Sequence, residues 1–394
     1  MSDKRWGSAE LFPTDLPVAP DTMIGRADDV DEIAQALAGG GHIVVAGPRR
    51  TGKTSVCDAA LAACAAAGCY TAAVDLFHMA DAADLAEALT VQALANRPVL
   101  ARAIHAAGTV PGRLREALSV AATYRARADL GEDLEITITP HLAQADPARA
   151  LRTALELLER IAAADDRRLV LFLDEFQEIA GGLFGKPGVA TRQLRAILQR
   201  SPHVSVLFAG SMEHLMRDLF APGERALSQF GAFHELHPIP AAEWRAGIRA
   251  RLALDGCTIE ASALERLVEL GEGHPRATML LAQQGHLIAR AELRRRLDGA
   301  IVAAALGAAM RADRLKHEQT LERIRSISRY AQRLAQRVAT GARLYEGIAP
   351  QNARRALRGL RDAGIVDHTG RRGGWVVLDP LLRRYLAELP LVSR

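Results

Sequence analysis

Residues 42–56, HIVVAGPRRTGKTSV, decide the fold. HIVVAG is a continuous apolar run closed by glycine, the pattern of a strand buried on both faces of a parallel sheet. It breaks into a loop of Gly47, Pro48, Arg49, Arg50, Thr51 and Gly52, and restarts at Lys53 as an alanine-rich helix. Gly47 through Thr54 fill every position of G-x-x-x-x-G-K-[ST], between a predicted strand and a predicted helix, as that motif requires. The two glycines let successive backbone N–H groups turn inward as an anion-binding nest at a helix N-terminus. Lys53 then reaches the β- and γ-phosphates of a nucleoside triphosphate, the Thr54 hydroxyl binds Mg²⁺, and Ser55 follows in the same turn. An ordinary glycine-rich turn has no reason to fill all of these positions.

Outward from this loop, strands and helices alternate. MIGRADDVDEIAQALAGGG (23–41) reads as a turn and an amphipathic helix stopped by glycines. CYTAAVDL, RRLVLFLDE and HVSVLFAGS supply three further buried strands, separated by helical stretches such as PARALRTALELLERIAA and VATRQLRAILQR. That order predicts βαβ units and a doubly wound parallel sheet. Residues 78–149, alanine-rich and then LEITITP, read as an insertion on the core. Beyond about residue 240 helices dominate until GIVDHTGRRGGWVVLDP, a hairpin-like pair.

A phosphate cradle predicts a second strand that ends in acid, and LVLFLDE provides it. Asp174 is placed to hold the Mg²⁺ shell and Glu175 to polarise an attacking water. A solvated acidic pair at a strand end is the bland alternative, and the neighbouring loop argues against it.

With these motifs in hand, the chain resembles the archaeal-type ATPases of the AAA+/STAND clade, relatives of replication-initiator ATPases, along nearly its whole length. GPRRTGKTS and LFLDEFQEI are similar to that group's Walker A and Walker B motifs, including the Gln177 that often follows. MIGRADDVDEI resembles its N-terminal box, which would bring Gly25 and Arg26 near the adenine of ATP. VSVLFAGSMEHLM corresponds to the sensor-1 strand, with Ser211 facing the γ-phosphate. GHPRATMLLAQ is similar to the lid motif, which would make Arg276 a sensor-2 arginine, with His274 structural. The resemblance also offers Arg225 as an arginine finger acting in trans, although a surface arginine is an equal alternative in this chain. Arg49 and Arg50 sit at variable loop positions, either solvated or against a neighbouring subunit or effector.

The implied organisation is an N-terminal arm (1–20), a P-loop ATPase core (21–238), a helical lid (239–318) and a winged helix (319–394). Only four of the 50 basic residues are lysines, so arginine abundance by itself says little about partners. Its distribution says more: residues 320–394 carry 15 Arg against 6 acidic residues, leaving 35 basic and 40 acidic residues elsewhere. In PQNARRALRGLRDAG, Ala353, Leu357 and Leu360 suit a core face, followed by Ile365. Arg354, Arg355, Arg358 and Arg361 recur toward the outside, and Arg371 and Arg372 fall at the hairpin tip. Such a face suits phosphates of double-stranded DNA, or a protein partner, or an acidic core that the domain restrains.

Hydrophobic content of 49% supports a large core, and no run approaches the roughly 18 apolar residues a membrane helix needs. The N-terminal stretch has no signal-peptide apolar segment, so the expected location is cytoplasmic. Cys57, Cys64, Cys69 and Cys257 form no CxxC pair, which indicates neither a zinc site nor a disulfide framework. Three functional classes remain: an ATP-driven switch controlling assembly, a DNA-binding regulator with slowly hydrolysed ATP, and a signalling scaffold with an autoinhibitory winged helix.

Overall fold

The computed structural model describes residues 6–47, 50–97, 147–180, 188–211, 213–221, 226–369 and 374–390. By their contacts they divide into two units. A sheet unit takes Ala27–Gly47 and Val56–Leu236; a helical unit takes Met1–Arg26, Pro48–Ser55 and His237–Arg394.

The sheet unit is built on five parallel strands, β1 (Ile43–Ala46), β2 (Tyr70–Asp75), β3 (Leu169–Asp174), β4 (Val204–Gly210) and β5 (Ala232–Glu235), in the order β2-β3-β4-β1-β5. This is a P-loop NTPase fold. All seven residues of β4 and all four of β1 are buried, which is why their sequences are apolar without alternation. The register sets Ala46 opposite Gly210, Leu173 opposite Phe208 and Asp75 opposite Asp174. The carboxyl ends of β1, β4 and β3 therefore lie side by side, the edge at which open α/β sheets bind ligands.

Helix Pro147–Ala164 turns Ala150, Leu151, Ala154, Leu155, Leu158 and Ile161 into the core, a stripe at helical spacing. It packs along helix Ala82–Ala95, whose Leu85, Leu89 and Leu94 are fully buried. Each such leucine contributes about 1.5–3 kcal/mol. The described start of the segment read as an insertion thus belongs to the core of this unit. Residues 98–146, with the strand expected at LEITITP, lie outside the described residues. The fifth strand was not foreseen: Ala232–Glu235 is four residues long, mostly exposed, and lies at the sheet edge.

In the helical unit, Ala241–Leu254, Ala261–Gly271, Pro275–Ala291 and Gly299–Ala312 surround a core of Trp244, Ile248, Leu267, Leu281 and Ile301. The N-terminal segment joins it: Leu11, Phe12 and Ile24 are buried in the same cluster. The Arg251 guanidinium donates to the carbonyls of Leu11 and Thr22, and its burial pushes its pKa down to about 10. A second cluster joins Arg314–Ile327, Ala331–Thr340, Pro350–Asp362, the antiparallel pair β6 (Val366–His368) and β7 (Trp375–Val377), and Pro380–Glu388. Ala353, Leu357, Leu360 and Ile365 face that core as their spacing predicts.

Candidate active site

The glycine loop leaves β1 at Gly47 and enters helix Lys53–Ala66. Gly52 has φ +88°, and a Cβ added there would meet nothing within 4 Å. Backbone conformation rather than space therefore demands glycine at this position. Arg50 also has positive φ, at 68°, and its side chain is exposed. Thr51 is half-buried. Lys53 opens the helix and is 7% exposed; Thr54 is half-buried; the Ser55 hydroxyl accepts a hydrogen bond from the Val18 N–H at 3.0 Å. Gly25 and Arg26 stand at φ 50° and 141°, a sharp local turn just before helix Ala27–Ala38. Pro48 and Arg49 lie outside the described residues.

At the carboxyl edge of the sheet, Asp174 ends β3 and its Oδ1 accepts from the Glu175 N–H at 2.8 Å. Glu175 has φ +46°, a left-handed conformation that costs a non-glycine residue about 1–2 kcal/mol. The turn sends its carboxylate toward the end of β4. There the Ser211 hydroxyl donates to Glu175 Oε2 at 2.7 Å, and the Gln177 amide donates to the same oxygen. The Ser211 N–H in turn donates to Gln177 Oε1 at 3.2 Å. Gln177 and Ser211 are both buried. Four residues from the ends of two adjacent strands thus form one hydrogen-bonded unit. Beneath it Phe176, Phe208 and Phe220 pack with ring centroids 4.6 to 5.9 Å apart.

Gly210 makes that unit possible. A Cβ there would lie 2.5 Å from Met216 Sδ and 2.6 Å from Gln177 Oε1, closer than any real contact. Asp58, one helical turn after Thr54, adds a further carboxyl. Burial first, and the Asp174 charge second, push its pKa up. Asp58 and Asp174 thus crowd two carboxyls together, and a divalent cation would relieve that crowding. Asp58 escaped the sequence reading, although its spacing from Thr54 put it on the same helix face.

In the helical unit, Arg276 lies in the first turn of helix Pro275–Ala291, whose N-terminus is capped by the His274 ring accepting from the Ala277 N–H. His274 is structural in this respect. Arg276 itself is buried and makes a bidentate pair with Asp313, one of its contacts at 2.8 Å. Burial would raise the Asp313 pKa, but hydrogen bonds and charge from Arg276, with Lys316, hold it below the ordinary carboxylate range. Lys316 also reaches Asp15 at 3.1 Å. Close by, His317 is 3% exposed, lies against the Tyr385 ring and has no hydrogen-bond partner among the described residues. Arg354, Arg355 and Arg358 are exposed on helix Pro350–Asp362. Arg225, Arg371 and Arg372 lie outside the described residues. Among those described, no helix is long and apolar enough to cross a membrane.

Residues 22–208 match the family described as an AAA ATPase domain. No curated protein matches the chain. Among solved structures, a Walker-type ATPase of Pyrococcus abyssi superposes with TM-score 0.71 at 14% identity, over 95% of this chain and 99% of its own. The ORC2 protein of Aeropyrum pernix, in its ADPNP–ADP complexes, gives TM-score 0.59 at 15% identity, over 95% of each chain. Its ADP form gives 0.55 at 14% identity, over 96% and 98%. At these identities the likeness is one of fold.

Proposed function

We propose that the chain, whose residues 22–208 match the AAA ATPase domain family, binds ATP with Mg²⁺ and hydrolyses it. We further propose that its nucleotide state controls assembly and the engagement of DNA or a protein partner through a C-terminal winged helix. The observation that carries this reading is the hydrogen-bonded set of Asp174, Glu175, Gln177 and Ser211, at the sheet edge beside the strand that feeds the glycine loop. Adenine nucleotide is in keeping with the ADPNP and ADP of the Aeropyrum relative.

In this reading backbone N–H groups of residues 50–54 would cradle the phosphates and Lys53 would neutralise their charge. Thr54 and Asp174 would hold Mg²⁺, which neutralises charge on the β- and γ-phosphates. Glu175 orients and polarises the attacking water, and Ser211 faces the terminal phosphate. Gly25 and Arg26 would border the adenine. Arg225, supplied by a second copy, would make turnover depend on assembly. Arg276 would sense the terminal phosphate only after exchanging its Asp313 partner for it.

The exposed Arg354, Arg355 and Arg358, beside a buried apolar stripe, support docking of this helix on duplex DNA. Arg371 and Arg372 would extend that face. A slow regulator or a scaffold would share the same site but show little turnover.

Titration calorimetry with ATP tests the binding half. Wild type should bind in the presence of Mg²⁺, and Lys53→Ala should lose about 30-fold or more in affinity, as when one partner of a buried charge pair is truncated. Unchanged affinity in a folded Lys53→Ala variant would remove the cradle from this reading.

A further inference from the structure

We propose that Gln177 is a positioning residue for hydrolysis, holding the Glu175 carboxylate in place and tying it to the Ser211 strand end. The inference rests on the ATPase reading above and assigns a role to a side chain outside the phosphate cradle and the metal shell. Three observations carry it. Gln177 is 3% exposed, and its amide is used in both directions: Nε2 donates to Glu175 Oε2, and Oε1 accepts from the Ser211 N–H at 3.2 Å. Glu175 has a strained backbone at φ +46°, and such strain persists only where the surroundings over-determine it. Gly210 leaves room for this arrangement, since a Cβ would lie 2.6 Å from Gln177 Oε1.

A carboxylate that polarises water works within hydrogen-bond reach and in a fixed orientation. Oε2 of Glu175 receives two hydrogen bonds, from Gln177 and from Ser211 at 2.7 Å. The side chain is thereby pinned through Oε2, which fixes the orientation in which the carboxylate meets water. Because Gln177 also grips the Ser211 backbone, any movement of the β4 end is passed to Glu175. The same amide therefore couples phosphate sensing to the base.

The experiment is a double-mutant cycle on the full chain. Gln177→Met keeps the volume and removes both amide functions. In steady-state assays it should lower kcat about tenfold or more, while ATP affinity stays within about threefold of wild type, the split expected when only the base is misplaced. Gln177→Glu keeps the size but sets a like charge beside Glu175, and should not rescue. In a Glu175→Gln background, Gln177→Met should cost nothing further, because residues acting as one unit are non-additive. Wild-type turnover in Gln177→Met, an equal loss in the Glu175→Gln background, or a parallel loss of ATP affinity would each overturn the assignment. A wild type that binds ATP but never turns over would overturn the hydrolysis reading itself, and this inference with it.

Discussion

Ser211 in the sheet unit and Arg276 in the helical unit, each proposed as a phosphate sensor, are engaged in opposite ways. Ser211 is hydrogen-bonded to Glu175, so its partner is the group proposed to act on water. Arg276 is locked bidentate to Asp313, a carboxylate that would compete with phosphate for the same guanidinium. One proposed sensor is thus hydrogen-bonded to the proposed base, and the other is held against an internal anion. A sensor's role is read from its partner as much as from its motif.

Breaking the stored pair should have the largest effect on stability. Asp313→Ala leaves buried Arg276 with only the more distant Asp15 carboxylate, 3.9 Å away, at a cost of about 3–5 kcal/mol. Chemical denaturation should show it. Wild-type stability in that variant would mean Arg276 finds water or another partner easily, and the contrast with Ser211 would collapse.

A smaller loss is expected on the sheet side. Gly210→Ala forces Met216 and Gln177 to move and should cost about 1–3 kcal/mol, with a fall in turnover because Gln177 leaves Glu175. Stability lost with turnover intact would separate the packing of Gly210 from the positioning of the base.

Acid sharpens the comparison next. Burial lowers the pKa of His274, His286 and His317 in the helical unit and of His42 in the sheet unit. A histidine with a depressed folded-state pKa supports the fold fully above its unfolded value of about 6.5, and that support fades as pH falls below it. With three such groups against one, the helical unit should lose protection first. Hydrogen exchange between about pH 7 and about pH 5.5 would detect this order. Earlier opening of the sheet unit would contradict it.

The smallest effect concerns the basic helix. If Arg354 and Arg355 meet phosphates, Arg354→Glu with Arg355→Glu should weaken duplex binding. Each lost contact should flatten the logarithmic salt slope by about 0.9. Unchanged DNA binding with raised turnover would instead mark this face as a restraint on an acidic surface.

Much of the sheet unit was legible because its strands are buried on both faces. IVVA, LVLFLD and VSVLFAG announce themselves as apolar runs, and the motif residues sit at their ends. β5 was hidden because AFHE is short and mostly exposed, so burial leaves no pattern in it. The N-terminal arm was misleadingly plain: Leu11 and Phe12 are core residues of the helical unit, but four helical residues carry no periodicity to show it. Asp313 is separated from Arg276 by 37 residues, and only tertiary packing pairs them. Gln177 was visible as part of a motif, while its grip on both Glu175 and Ser211 depends on the register of β3 against β4.

The central claim is that the sheet edge hydrolyses ATP through Glu175, and turnover by Glu175→Gln tests it most directly. Asp174, Thr54 and Lys53 remain in that variant, so ATP should bind with near wild-type affinity. Turnover should fall by about 10²-fold or more, the contribution of a positioned general base. Wild-type turnover in a Glu175→Gln variant that binds ATP normally would contradict the claim.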